Sequence, residues 1–466
     1  MLFNSISYLL FLPIVVILYW IINLYAEKFK NLFLVIASLF FYGLWSYKFL
    51  SILIICILLD YFLGHLIARK RSKLYLLISI LCNIGLLVYF KYSNFFIHEL
   101  TEFLGLDTSQ KFNAINIIAP IGISFYSFHG LSYVFDIYRG KQEPTKNIID
   151  YALFVSFFPL LVAGPIERAN HLIPQIQSKK RFNYTQSKEG IYLIIVGLFK
   201  KMFIADSLAE YVTSTFDAYQ GYTALSLILA AVGFSFQVYA DFSGYSDIAI
   251  GSAKLLGFEL LSNFKFPYFA KNIKEYWQRW HISLSSWFRD YVYFPLGGSK
   301  GSSTKTIRNI FIIFSISGFW HGANWTFIFW GLTHAFIYLI YTLLFEKIEV
   351  KSTLAVKIIS ILFTFSIITF TLIIFRSKTL LDAYKYLRAL FANLYDCPEK
   401  IFNGQGLQNM EVIYYISLMI IIDFATRKNE RKIHVPMIKY SLFIMIFCII
   451  YKFITMNESQ FIYFDF

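Results

Sequence analysis

Charge is scarce in this chain. Only 15% of its 466 residues are Asp, Glu, Lys or Arg, against about 25% in an average soluble domain. Cysteine is nearly absent: Cys56, Cys82, Cys397 and Cys448 are scattered, three of them inside apolar runs, and form no metal or redox spacing. No Gly-x-Ser-x-Gly elbow and no HExxH pair occurs, so soluble-hydrolase and zinc-enzyme chemistry find no support. There is no soluble domain, internal repeat or low-complexity linker. The first apolar stretch has no basic lead-in and no small-residue cleavage site, so it reads as a retained span rather than a signal peptide.

What fills the chain instead is apolar and aromatic. Hydrophobic residues make up 58% and aromatic ones 20%, concentrated in long runs. Ile6–Leu24, Leu74–Phe90, Tyr222–Ala240, Ile310–Phe345 and Met437–Ile454 each cross, or nearly cross, a hydrocarbon core of about 30 Å. The pattern predicts an all-α polytopic membrane protein of roughly eleven to thirteen segments, several short and broken by Gly or Pro. The net charge of +14, from 42 Lys+Arg and 28 Asp+Glu, sits largely in short loops such as Ala68–Lys73 and Arg427–Lys432. Positive loops of this kind set membrane orientation, and nucleic acid is not needed as a partner to explain them. Basic loops after odd-numbered spans place the N-terminus outside. A basic loop before the last span then puts Met456–Phe466 on the outer face.

One block, from Tyr239 to about His334, mixes Trp, His, Asp, Arg and Gly into apolar sequence, where such residues are costly and usually functional. Its first constellation is "NIKEYWQRWHISLSSWFRDYVYFPLGGSKG" (Asn272–Gly301). Read as one helix, Trp277, Trp280, Leu284, Trp287 and Tyr291 share an apolar face. Lys274, Gln278, His281 and Ser285 form a polar stripe beside it, as in an interfacial helix. Gly297, Gly298 and Gly301 with Lys300 hint at a phosphate-cradling loop, although the spacing is not that of a Walker motif. The second constellation is "SISGFWHGANWTFIFWGLTHAF" (Ser315–Phe336). Here His321 lies inside the run Ile310–Phe345, where an imidazole needs a partner or a task. Gly318 and Gly322 leave room for a ligand or helix, and Asn324 and Trp325 add hydrogen-bonding capacity. A histidine hydrogen-bonded between helices is the plainer alternative, and His334 reads as structural. In the third, "YADFSGYSDIAIG" (Tyr239–Gly251), Asp241 and Asp247 could orient histidines or pair with Arg279 or Arg289.

These motifs resemble the membrane-bound O-acyltransferase family, in its bacterial alginate or peptidoglycan O-acetyltransferase-like branch. "GISFYSFHGLSYVFDIYRG" (Gly122–Gly140) and "FFPLLVAGPIER" (Phe157–Arg168) belong to the same pattern, which runs from about Ile6 to His334. The resemblance implies a helical fold with short re-entrant or interfacial helices around a central tunnel. It implies one transmembrane domain over 1–456, with a catalytic core at about 239–334 and an extracytoplasmic tail at 457–466. By resemblance His321 is the catalytic histidine and His281 the second active-site polar residue. Trp277, Trp280, Arg289, Asp290, Trp320, Asn324 and Asp241 are expected to bind substrate. His129 is given no role, because relatives also carry glutamine there. The donor implied is acetyl-CoA, with no permanently bound cofactor or metal, in the bacterial cytoplasmic membrane. An SGNH-type O-acetyltransferase outside the membrane is the implied partner, and an extracytoplasmic polysaccharide the acceptor. D-alanyl or other acyl transfer by the same fold, or a non-covalent transporter or flippase, are the alternatives.

The tail "QFIYFDF" (Gln460–Phe466) carries one phenol, Tyr463. Fully extended, the stretch from Met456 to Tyr463 reaches roughly 23 Å at about 3.3 Å per residue, more than the roughly 15 Å of half a hydrocarbon core. A phenol of pKa about 10 leaves an ester only slightly less readily than a thiolate of pKa about 8.5. Acyl transfer from a thioester to Tyr463, with His321 as general base, therefore runs nearly level, and onward transfer to an outer hydroxyl runs downhill. An aromatic anchor at the outer interface is the plainer reading of the same tail.

Overall fold

Helix starts in this chain are fixed by small polar side chains set just before apolar runs. The Tyr8 amide donates to Ser5 Oγ at 3.2 Å and opens Ile6–Tyr25. Ser46 opens Tyr47–Lys70 in the same way, and Thr353 opens Leu354–Arg376. Each such cap satisfies a backbone donor that the helix cannot, worth typically about 1 kcal/mol. The computed structural model describes all residues except 106–116, 163, 349–352, 396–405, 428–437, 456–460 and 463–466. Tyr463 therefore lies outside the described residues, as do Cys397, His434 and most of the Arg427–Lys432 loop.

The protein is an all-α, multi-pass membrane protein, with no strand among the described residues. Six described helices are long and apolar enough to cross a bilayer: Ile6–Tyr25, Tyr47–Lys70, Lys73–Phe103, Ala224–Leu255, Trp325–Phe345 and Leu354–Arg376. Ile438–Thr455 adds a further apolar helix.

The chain folds as two compact units. The first comprises Met1–Ile194 and Ile248–Leu261. Its interior joins Phe11, Phe41 and Phe158, with ring centroids 5.3–5.7 Å apart. Some of its buried polar groups meet across helices: the Tyr8 and Ser252 hydroxyls lie 2.7 Å apart, and Asp60 accepts from Ser79 Oγ and Asn83 Nδ2 at 2.6 and 3.0 Å. His129, fully buried, accepts the Glu167 amide on Nε2 at 3.1 Å, and Glu167 in turn meets His171 at 2.8 Å. His129 thus holds the "GPIER" segment in place.

The second unit comprises Ile195–Asp247 and Ser262–Phe466 and holds every described residue of the candidate site. Two sequence expectations change here. The run Ile310–Phe345 is not one span but two helices, Ser303–His321 and Trp325–Ile340, separated by Gly322–Asn324. Asn324 accepts the Thr326 amide at 2.9 Å and starts the second helix. The two helices lie backbone against backbone: a Cβ on Gly318 would collide with the Phe327 carbonyl, and one on Gly331 with the Phe314 carbonyl. Small residues allow such close helix contact in membranes. Ile310, Phe314, Ala335 and Leu339 then close the core between them. Likewise Asn272–Gly301 is not one helix. It breaks into Ile273–Arg279, Ile282–Phe288 and a wide π-helical turn, Arg289–Tyr293.

Candidate active site

The break between Ile273–Arg279 and Ile282–Phe288 falls on His281. The Trp280 amide closes the first helix on the Tyr276 carbonyl at 2.8 Å. His281 then adopts φ 42° and ψ 54°, a left-handed conformation that costs an L-residue about 1–2 kcal/mol. Asn263 holds the turn that follows: its carbonyl accepts the Ile282 amide at 2.8 Å, and its side chain accepts the Ser283 hydroxyl at 2.5 Å. The turn shifts the helical phase, so His281 leaves the polar stripe that a single helix would give it. It is 1% exposed, edge-on to Phe242 at 4.7 Å and facing Trp320 at 5.9 Å. Neither ring nitrogen has a hydrogen-bond partner among the described residues. His281 lies outside the six long spans, and burial pushes its pKa down to about 3. It is therefore a neutral imidazole with a donor and an acceptor both unspent.

His321 is the last residue of Ser303–His321, and Gly322 leaves it in extended backbone. It is buried and boxed by aromatic edges: Trp320 at 5.0 Å, Trp330 at 5.1 Å and Phe375 at 5.3 Å. The structure thus moves His321 from the interior of a long span to a helix end, beside a turn. Trp320 touches both histidine rings, which brings His281 and His321 into one aromatic cluster. His334 packs against Trp277 and Trp330 and meets Thr371 Oγ1 through Nε2 at 3.0 Å. It ties two helices together, as its structural reading anticipated.

The remaining candidates divide. Trp277 packs on Phe314, Trp330 and His334, and Trp280 stacks near Tyr276 and Phe264. Both build the wall around the histidines. Arg289 and Asp290 pair with each other at 3.0 Å on the π-helical turn, with Arg289 largely exposed, away from the histidine cluster's ring contacts. Asn324 spends its amide on the helix cap and on the Lys378 carbonyl at 2.9 Å. The three glycines near Lys300 form a turn that Asn309 pins, donating to the Leu296 and Gly298 carbonyls at 3.2 and 3.0 Å. The two aspartates meet lysines rather than the arginines proposed for them. Asp247 meets Lys200 at 2.8 Å, Asp241 meets Lys201 at 2.7 Å, and Arg279 meets Glu275.

A cavity of about 620 Å³ lies beside this cluster. Asn324, Phe327 and Phe375 form part of its wall, and Lys201, Asp206, Asp241 and Ile462 another part. Phe375 thus separates the cavity from His321 by one ring. Lys201, 2% exposed, bridges Asp241 and Asp206 at 2.7 and 2.9 Å. It stands in a π-helical turn, Phe199–Ala205, a local widening common at functional sites. Sequence reasoning overlooked Lys201 and Asp206. The available signal was two adjacent lysines inside an apolar stretch, "LFKKMFIAD", where unpaired charge is costly. Near the end of the chain, Phe461 is fully buried against Tyr245 and Phe242, at 4.6 and 5.6 Å.

Residues 39–377 match the family described as MBOAT, the membrane-bound O-acyltransferase family. The chain is 33% identical to the peptidoglycan O-acetyltransferase of Helicobacter pylori, covering 100% of this chain and 98% of that protein. It is 38% identical to a probable alginate O-acetylase of Pseudomonas aeruginosa over 84% of this chain and 75% of the relative. A teichoic acid D-alanyltransferase of Bacillus subtilis is 32% identical over 56% of this chain and 70% of its own length.

Proposed function

Because the chain belongs to the membrane-bound O-acyltransferase family, we propose that it takes acetyl from acetyl-CoA on the cytoplasmic side and relays it through Tyr463 to an extracytoplasmic polysaccharide. The acyltransferase activity follows from the family; the donor, the relay and the route are the proposal. His321 takes the proton from the Tyr463 hydroxyl as the phenolic oxygen attacks the thioester carbonyl. The C–S bond breaks, an acetyl ester forms on Tyr463, and the CoA thiolate recovers the proton from His321. In the second step a hydroxyl of an SGNH-type partner or of the polymer attacks that ester, and the phenol is regenerated with the attacker's proton. His281, neutral and with both ring nitrogens unspent, stabilises the oxyanion as a donor. Because Asn324's amide is committed to a cap and to Lys378, His281 is the better candidate for that role.

One observation carries this reading. Ile462, the residue before Tyr463, lines the same cavity as Phe375, whose ring touches His321. The burial of Phe461 also weighs against the tail as an aromatic anchor at the membrane interface. Acetyl is favoured over D-alanyl because the acetyltransferase relative aligns with the whole chain and the D-alanyltransferase with about half. Peptidoglycan is the first acceptor to test on the same ground, with an alginate-like exopolysaccharide second. The test is transfer from labelled acetyl-CoA by purified protein in liposomes, with mass spectrometry of the C-terminal peptide. Label on Tyr463 supports the relay; transfer to polymer that persists undiminished in Tyr463→Phe contradicts it.

A further inference from the structure

The tail is held before it reaches its reactive residue. The Ile462 amide donates to Asp241 Oδ2 at 2.7 Å. The other oxygen of Asp241 faces Lys201 Nζ at 2.7 Å, and Lys201 is shared with Asp206 at 2.9 Å. Asp241 and Lys201 are each 2% exposed, and a buried carboxylate needs hydrogen-bond donors close by. A main-chain N–H supplies one without adding a charge, whatever side chain follows. One residue earlier, Phe461 is fully buried between Tyr245 and Phe242. Phe242 is also the ring that meets His281 edge-on. An aromatic knob and a backbone N–H, on consecutive residues, fix both the depth and the register of the chain at this point.

We propose that Asp241, braced by Lys201, and the Phe242–Tyr245 slot form a register-setting seat for the tail, which positions the residue two places beyond Phe461 for acyl loading. Asp241, Lys201, Phe242 and Tyr245 act here as positioning residues and take no part in bond making. This inference rests on the Tyr463 relay. The seat assigns the distance that matters to the two residues between Phe461 and Tyr463. On this proposal the residues between the helix Ile438–Thr455 and Phe461 have no positioning role, only that of a connecting tether.

Two glycine insertions into the full-length chain separate these roles. An insertion between Ser459 and Gln460 lengthens the tether only, and acetyl loading of Tyr463, read by intact-mass spectrometry, is expected to stay within about threefold of wild type. An insertion between Ile462 and Tyr463 shifts the phenol by about 3.3 Å from the seat, and loading is expected to fall about 100-fold, since misplacement of about 1 Å can cost that much. Equal effects of the two insertions would overturn the seat. Docking has its own readout, which needs no acetylation. Carboxypeptidase digestion is expected to stall at Phe461–Ile462 in the wild type and in Tyr463→Phe. In Phe461→Ala it is expected to pass that point about tenfold faster, on loss of the buried ring, with Phe461→Leu restoring most of the block. Digestion that ignores Phe461→Ala also overturns the seat. Wild-type protein that shows the block but never carries acetyl on Tyr463 overturns the relay instead.

Discussion

His281 and His334 are each about 1% exposed and ringed by aromatic side chains, yet they occupy opposite kinds of place. His334 sits within a regular helix and gives Nε2 to Thr371 at 3.0 Å. His281 sits at a helix break, in left-handed backbone, with no partner on either nitrogen among the described residues. An imidazole that buries and bonds repays its desolvation with a hydrogen bond worth about 1 kcal/mol. One that buries, strains its backbone by about 1–2 kcal/mol and finds no hydrogen-bond partner among the described residues is a candidate for another task. Burial alone therefore does not mark a functional histidine. Unspent hydrogen-bonding capacity on a strained backbone is what makes His281 the stronger candidate.

The contrast can be broken by substitution. His281→Ala is expected to lower the rate of acetyl transfer by about 100-fold or more, the cost of removing one oxyanion donor, while the protein stays in the membrane; label transfer from acetyl-CoA in liposomes measures it. His334→Gln, which can still reach Thr371, is expected to keep transfer within about threefold and to lower unfolding free energy by about 1 kcal/mol, read by thermal melting in detergent. Reversal of the two results would reverse the assignment. The smallest effect concerns pH. Burial lowers the His281 pKa from 6.5 to about 3, so between those values the unfolded chain binds a proton that the folded protein does not. Stability then falls as pH drops through that window, and above pH 6.5 His281 adds no pH dependence. In His281→Gln, melting temperature should decline less steeply between pH 6 and about 4.

The helical membrane class was legible because apolar runs longer than a bilayer is thick admit few other folds. The run Ile6–Leu24 matches the helix Ile6–Tyr25 closely, with Ser5 as a readable cap. The breaks at His281 and at Gly322–Asn324 were not legible. Apolar spacing of three and four continues across the first break: Trp280, Leu284 and Trp287 are all buried, as one helix would have them. Only Asn263, distant in sequence, reveals the turn by holding Ile282 and Ser283. At the second break, "HGAN" carries both a glycine and an N-cap, but the apolar residues on either side hid the stop. The pairing of Lys201 with Asp241 and Asp206 spans forty residues of chain and no periodicity reports it. His321 stood out by its place inside a long apolar run, whereas His281 was open to a plain interfacial reading; their catalytic roles came from the family resemblance.

The central claim is that acetyl passes through the tail by way of His321. Peptide mass spectrometry of the C-terminus after incubation with acetyl-CoA tests it most directly. The account predicts an added acetyl group on Tyr463 in the wild type, and its loss by about 100-fold or more in His321→Ala. An unmodified Tyr463 in a protein that still acetylates its polymer would contradict it, as would a His321→Ala variant that loads Tyr463 at the wild-type rate.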